Sequence, residues 1–135
     1  MDAWEAHAFG NDSANDWLAE VVESSDLSMI QEAFDSVLGA GDEMVDMQAG
    51  EEAVAAAEVV AWLSGHPGKN GDHADLIEGW LEDNELEFSD ALAKKSKRVV
   101  DRVFNHPSEL REAWEASDDF DDWKKELADL KDRLS

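Results

Sequence analysis

The sequence contains no cysteine, so disulfides, thiolate metal sites and a cysteine nucleophile are all excluded. No apolar run approaches the length that a membrane-spanning helix needs. The N-terminus lacks the basic stretch followed by an apolar stretch that marks a signal peptide. Together these absences predict a cytoplasmic protein that does not enter membranes.

Residues 1–68 contain no Lys and no Arg, and the first of either type is Lys69. Residues 1–68 contain fifteen Asp and Glu, residues 69–135 contain nineteen together with all eleven Lys and Arg, and the formal net charge is −23. This charge disfavours binding to nucleic acid and to anionic membranes, because both depend on basic residues. It favours binding to basic protein surfaces. The alternative is a general surface acidity that keeps the protein soluble.

Sequence signatures of catalysis and metal binding are also missing. The four histidines are scattered and form no H-x-x-x-H or H-E-x-x-H pair. There is no phosphate-binding loop, no G-x-G-x-x-G and no nucleophile elbow. The sequence therefore predicts no catalytic residue, no metal site and no cofactor.

Apolar residues make up 43% of the chain and recur at helical spacing, which predicts an all-α fold. The segment AGEEAVAAAEVVAWLSG is apolar around nearly its whole circumference, as is typical of a central, buried helix. We expect a single helical domain over 1–135, with an acidic half 1–68 and a mixed-charge half 69–135. It forms one compact bundle of about six to seven short helices. Around the Ala-rich helix, the others are predicted near 12–24, 27–38, 74–83, 90–105, just after 108, and 119–134, the last docking on the bundle.

Polar residues mark where several helices begin. Asn11 and Asp12 precede the first helix, and Ser89 and Ser108 precede two later ones, in the position of N-cap residues. Ser28 followed by Gln31 matches a capping box at the start of the second helix. Residues 42–48 are predicted to form an extended connection.

Asp12, Asp16 and Glu20 are spaced four residues apart and so lie on one face of the first helix. They suit contacts with Lys or Arg side chains of a partner, although capping and the helix dipole also explain Asp12 and Asp16. The candidate partner-binding residues, all from the half without Lys or Arg, are Asp12, Asp16, Glu20, Glu23, Asp35, Asp42, Glu43 and Asp46.

Glu58 lies within AAAEVVAW on the helix that is predicted to be buried. A buried carboxylate has to be paired, hydrogen-bonded or protonated. We expect an internal partner, such as a basic residue of the fifth helix or a Trp indole N–H, and a functional carboxylate is the alternative. The basic cluster of the fifth helix is expected to offset acids within the chain and consists of Lys94, Lys95, Lys97, Arg98 and Arg102.

The stretch WEAHAFGNDSANDWL places Trp4 and Phe9 near a chain end, and we expect them to hold the terminus on the core. This opening resembles that of a bacterial family known as domain of unknown function 4259, typically Met-Gly-Ala-Trp-Gly-x-Gly-x-Phe-x-Asn-Asp-x-Ala-x-Asp-Trp. EAVAAAEVVA (52–61) and SELREAWEAS (108–117) are similar to two further segments of the family. Asp2, Glu5 and His7 stand where the family has glycines. The resemblance implies a small helical bacterial protein and no particular activity. The matching residues are Met1, Ala3, Trp4, Phe9, Asn11, Asp12, Ala14, Asp16 and Trp17.

The charge pattern favours a non-enzymatic protein-binding module whose carboxylates engage a basic partner surface. Toxin-immunity proteins and inhibitors that mimic DNA work in this way, and the partner would be a toxin or a nucleic-acid-binding protein. One alternative is a small enzyme or ligand binder that uses Glu58 and the N-terminal carboxylates. Another is a helical scaffold or oligomer subunit with the last helix as its interface. The protein is expected to be a monomer or a small homo-oligomer.

Overall fold

A computed structural model of the protein describes residues 11–68 and 73–134. Within these ranges the chain forms seven α-helices and no strand, which confirms the predicted all-α bundle. The predicted anchors Trp4 and Phe9 lie outside the described residues. The helices are α1 (Asp12–Val21), α2 (Ser28–Leu38), α3 (Met47–Leu63), α4 (His73–Asp83), α5 (Asp90–Phe104), α6 (Glu109–Glu115) and α7 (Phe120–Arg133).

The Ala-rich helix α3 is the centre of the bundle and packs against each of the other six helices. Ala55, Ala56 and Ala57 are successive residues and all are completely buried. Because successive residues point about 100° apart around an α-helix, such a run is buried on nearly every side. The predicted central position of this helix is therefore confirmed.

Predicted side-chain caps are present at the starts of α1, α5 and α6. Asn11, Ser89 and Ser108 each accept a hydrogen bond from the backbone N–H three residues later, at 2.7, 3.1 and 3.3 Å respectively. These predicted caps are confirmed, whereas Asp12 is the first residue of α1 rather than a second cap. Each cap satisfies one of the backbone donors that the first turn of a helix leaves without an intrahelical partner.

The capping box predicted at the start of α2 is wrong. Ser28 is the first helical residue, and Leu27 before it makes no side-chain cap. The Asp26 carboxylate takes this role, because it accepts hydrogen bonds from the Ser28 N–H at 3.0 Å and from the Ser28 hydroxyl at 2.6 Å. A carboxylate is a stronger acceptor than a hydroxyl, and these hydrogen bonds lower the pKa of Asp26.

Helix α1 ends at Val21 rather than near residue 24, and one local and one tertiary hydrogen bond hold the turn that follows it. The Ser24 hydroxyl donates to the Val21 carbonyl at 2.7 Å. The Trp80 indole N–H of α4 donates to the Ser24 carbonyl at 2.8 Å. Local periodicity carries no information about this contact, since the two residues are 56 positions apart.

The extended connection predicted over 42–48 is shorter in the structure, because α3 already begins at Met47. Its centre pairs with the connection between α5 and α6. The Val45 N–H donates to the Pro107 carbonyl at 3.1 Å, and the Glu109 N–H donates to the Val45 carbonyl at 3.0 Å. This short pairing ties together two connections that are far apart in the sequence.

Helix α7 docks on the bundle through one apolar face, as predicted for the last helix. Trp123, Leu127, Leu130 and Leu134 on this face are each no more than 4% exposed. These apolar residues, which recur at helical spacing along α7, are thus part of the core.

Candidate functional site

Four of the eight predicted carboxylates form a row along α1. Asp12, Asp16 and Glu20 follow one another on the helix, and Glu23 continues the row in the turn after it. All four are exposed, and none forms an ion pair with a residue in the described ranges 11–68 and 73–134. The opposite face holds α1 on the core through Ala14, Trp17, Leu18 and Val21.

The other four predicted carboxylates are also exposed but follow a different pattern. Asp35 on α2 pairs with Lys95 of α5 at 2.8 Å. Asp46 accepts a backbone N–H in the first turn of α3 at 3.3 Å. Asp42 and Glu43 lie in the connection between α2 and α3. At least two of these four carboxylates therefore have a role within the fold.

Arg102 of α5 places its guanidinium group beside the turn that contains Glu43. It donates to the carbonyl oxygens of Gly41 at 3.2 Å, Glu43 at 2.7 Å and Pro107 at 3.0 Å. Lys95 offsets a carboxylate of the chain, as expected for the basic cluster, whereas Arg102 instead holds two connections together through their backbones. Asp35 and Glu43 are thus next to cations of α5, and the eight predicted residues do not form one uniform surface.

Helix α4 adds carboxylates that the predicted division at residue 68 assigned to the mixed-charge half. The His73 ring contacts the Asn15 side chain on α1, and the Trp80 indole binds the Ser24 carbonyl beyond its other end, so α4 lies beside α1. No Lys or Arg occurs between residues 70 and 93. This stretch is therefore also acidic, although the division at residue 68 grouped it with the mixed-charge half. We define the α1–α4 acidic surface by its exposed residues Asp12, Asp16, Glu20, Glu23, Asp75, Glu78, Glu82 and Asp83.

Glu58 has an internal partner, as predicted, but the partner is neither a basic residue of α5 nor a Trp. Glu58 is 3% exposed, and its Oε2 and Oε1 accept hydrogen bonds from Arg133 Nη1 at 2.5 Å and Nη2 at 2.8 Å. Arg133 Nε also donates to Asp129 at 2.9 Å. The hydrogen bonds with Glu58 raise the pKa of Arg133 above its ordinary value. This pairing joins the central helix to the C-terminal helix across 75 residues.

The chain after α3 passes directly over this ion pair at Gly68. A Cβ atom at Gly68 would lie 2.8 Å from Arg133 Nη1 and 2.8 Å from Glu58 Oε2, closer than real Cβ contacts allow. The His66 carbonyl lies 3.4 Å from the same Arg133 Nη1. Glycine at this position therefore lets the backbone close over the Glu58–Arg133 pair.

Glu51 is a second buried carboxyl group of α3 and lies just beyond the first turn of this helix, which begins at Met47. It is 5% exposed and forms a hydrogen bond with the Ser13 side chain. Burial raises the pKa of Glu51, the Ser13 hydrogen bond lowers it, and the charges of Asp12, Glu52 and Asp46 raise it further. The all-round apolar pattern of α3 was the signal for this burial.

A shallow groove between α5 and α7 has a volume of about 230 Å³. Val100, Phe104 and Leu127 contribute apolar surface to it, and Asp101 pairs with Lys131 at 2.5 Å on its border. Sites for small organic ligands usually have a volume of roughly 300–1,000 Å³. The groove is therefore small for such a ligand.

Two further findings concern the described residues only. No group of three or more His, Asp or Glu among them is arranged to hold a metal ion. None of their helices combines the length and the apolar character needed to cross a bilayer.

The fold and the site define a class of small all-helical protein with an acidic surface on two neighbouring helices. The chain belongs to the family described as domain of unknown function (DUF4259), whose family model matches residues 2–126. The resemblance of the opening motif is thereby confirmed. No curated protein and no solved structure matches the chain.

Proposed function

We propose that this protein is a non-enzymatic binding module that engages a basic protein surface through its α1–α4 acidic surface. The proposal rests above all on the α1 row, whose exposed carboxylates form no ion pair within the described residues. Carboxylates with a role in the fold are engaged, as Asp35 is with Lys95. The proposal takes the protein as bacterial and cytoplasmic, in keeping with the family resemblance and the lack of cysteine.

The density of charge along α1 supports a partner that normally binds nucleic acid. Glu23 lies eleven positions after Asp12, which corresponds to about 17 Å along a helix. The four carboxylates of the α1 row therefore supply about one charge per 4 Å, comparable with one per 3.4 Å along a single strand of DNA. Among basic partners, this density favours a toxin with a nuclease-like surface or another nucleic-acid-binding protein.

The alternatives have less support from the geometry. An enzyme that uses Glu58 would need a free carboxylate, but both oxygens of Glu58 bind Arg133. A scaffold with α7 as its interface would need an exposed apolar face, but the apolar face of α7 is buried within the monomer. The acidic surface has neither difficulty.

Affinity capture from the source organism tests the proposal with two variants of equal net charge. One variant replaces acids of the α1 row by their amides, as Asp16→Asn, Glu20→Gln and Glu23→Gln. The matched control replaces three exposed acids of α6 and α7, as Glu112→Gln, Asp122→Asn and Glu126→Gln. Circular dichroism checks that both variants keep the helical fold.

We expect the wild type and the α6–α7 control to retain the same basic protein, and the α1 variant to lose it. Retention should weaken as salt is added, because the Debye length falls from about 10 Å at 0.1 M to about 3 Å at 1 M. Equal retention by the two variants, or retention that salt does not change, would contradict the proposal. A captured nuclease whose activity the wild type inhibits would support the DNA-mimic form.

A further inference from the structure

Glu51 is a buried acid at the junction of α1 and α3, and its carboxyl group makes no ion pair with any residue of the described part of the chain. It is 5% exposed, and its hydrogen-bond partner is the neutral side chain of Ser13. Glu58 on the same helix is equally buried but is bound by a guanidinium group. The two buried acids of α3 therefore differ in whether a cation of the described residues compensates their burial.

Apart from the Ser13 hydroxyl, the described groups that act on Glu51 are negative, and the residues packed at this end of α3 are apolar. Asp12 acts on it from α1, and Asp46 and Glu52 act on it from the start of α3. Helices α5 and α6 approach this end of α3 at Gly50 through the apolar residues Val103 and Leu110. A carboxylate in such surroundings has lost water without gaining an opposite charge, which is unfavourable.

We propose that ionisation of Glu51 opens the N-terminal end of α1 from α3, so that the docking of this helix depends on pH. The consequence follows from linkage: any opening that returns the carboxyl group to water becomes easier once the group is ionised. This inference goes beyond the proposed function, because it holds whether or not α1 binds a partner. If α1 does bind a partner, protonation of Glu51 also controls how firmly the α1 row is docked on α3.

The sign of the effect follows from the direction in which the pKa of Glu51 moves. Burial and the neighbouring acids raise this pKa above its ordinary value of 4.5. The contribution of Glu51 to the closed state is therefore fully present below pH 4.5 and is lost as the pH rises through the raised value. Acidification within this window closes α1, and a return to neutral pH loosens it.

Native-state hydrogen exchange, measured by NMR on the full chain between pH 4.5 and 7.5, tests the proposal. After correction for intrinsic exchange, we expect the opening constant of the α1 amides to increase with pH. The increase should occur between the ordinary and the raised pKa of Glu51, should not exceed about tenfold per pH unit, and should level off above the raised pKa. The amides of Val99 and Val100 in α5 serve as an internal reference. Glu51→Gln should make α1 opening independent of pH and lower than in the wild type at pH 7.5.

Two further variants separate Glu51 from its neighbours. Glu52→Gln removes an adjacent acid and should keep the pH dependence. Ser13→Ala removes a hydrogen bond that stabilises the carboxylate and should move the midpoint to higher pH. A wild-type profile that does not change with pH overturns the proposal. So does an unchanged pH dependence in Glu51→Gln, which would assign the effect to another group such as His73, whose ring contacts Asn15 of α1.

Discussion

Replacing Arg133 by Met removes the cation that compensates the buried Glu58 and keeps a long, unbranched side chain in its place. Glu58 is 3% exposed, and the two N–H groups bound at 2.5 and 2.8 Å would be lost. We expect the free energy of unfolding to fall by about 3–5 kcal/mol, the usual cost of removing one partner of a buried ion pair. Since domains are commonly stable by about 5–15 kcal/mol, this is a large part of the total.

The effect should come from Glu58 rather than from the second carboxylate that Arg133 contacts. The Asp129 side chain is 62% exposed, so water already solvates it. Asp129→Asn should therefore cost less than about 1 kcal/mol, as exposed ion pairs do. Asp35→Asn, which breaks the exposed pair with Lys95, is a matched control with the same expected magnitude.

Urea unfolding followed by tryptophan fluorescence measures these differences, since the chain has six Trp and no Tyr. The double variant Glu58→Met and Arg133→Met should recover most of the loss, because no buried charge remains. A cost below about 1 kcal/mol for Arg133→Met would refute the reasoning. So would a double variant whose cost equals the sum of the two single costs.

Four other substitutions have expected outcomes that urea or thermal unfolding can measure. Gly79→Ala should raise the free energy of unfolding by about 0.5–1 kcal/mol, because Ala favours a helix over Gly and a Cβ at this position of α4 meets no atom within 4 Å. A loss of stability would contradict the inference that this position has room for a Cβ. Gly68→Ala should destabilise by about 1–3 kcal/mol, because its Cβ would lie 2.8 Å from both side chains of the ion pair; a neutral result would contradict this and would show that the ends of these side chains can move aside. Arg102→Lys should cost about 1–3 kcal/mol, because an ammonium group cannot replace a planar donor bound to several carbonyls. Glu51→Gln should stabilise on the order of 1 kcal/mol at pH 7 and less at pH 4.5, because only the ionised carboxyl group is penalised by burial; equal gains at both pH values would contradict this.

The helices and their caps were largely predictable, because they depend on residues close together in the chain. Asn11, Ser89 and Ser108 act within three residues of themselves. The prediction at α2 was wrong because Asp26 accepts both the Ser28 N–H, which the Gln31 side chain accepts in a capping box, and the Ser28 hydroxyl, and a carboxylate is a stronger acceptor than an amide. Such competition between nearby residues is decided by geometry that spacing alone does not specify.

The candidate site was only partly predictable, for a related reason. The acids of the α1 row were identified from their spacing, but the addition of α4 depends on contacts made through Trp80, which is 56 residues from its partner Ser24. The separation of Asp35 from this surface likewise depends on Lys95, which lies 60 residues away. Charge along the chain is visible in the sequence, whereas its distribution over the surface requires the packing.

By itself the sequence determined that this chain is helical, that an Ala-rich helix lies at its centre, and that its net charge is strongly negative. These properties follow from local periodicity and from composition, both of which can be read along one dimension. Only the tertiary structure decided that Arg133 compensates Glu58, whereas Glu51 has the Ser13 hydroxyl and no cation as a partner among the described residues. The sequence places both acids on one helix, and what distinguishes them in the structure is which distant side chain the fold brings into contact.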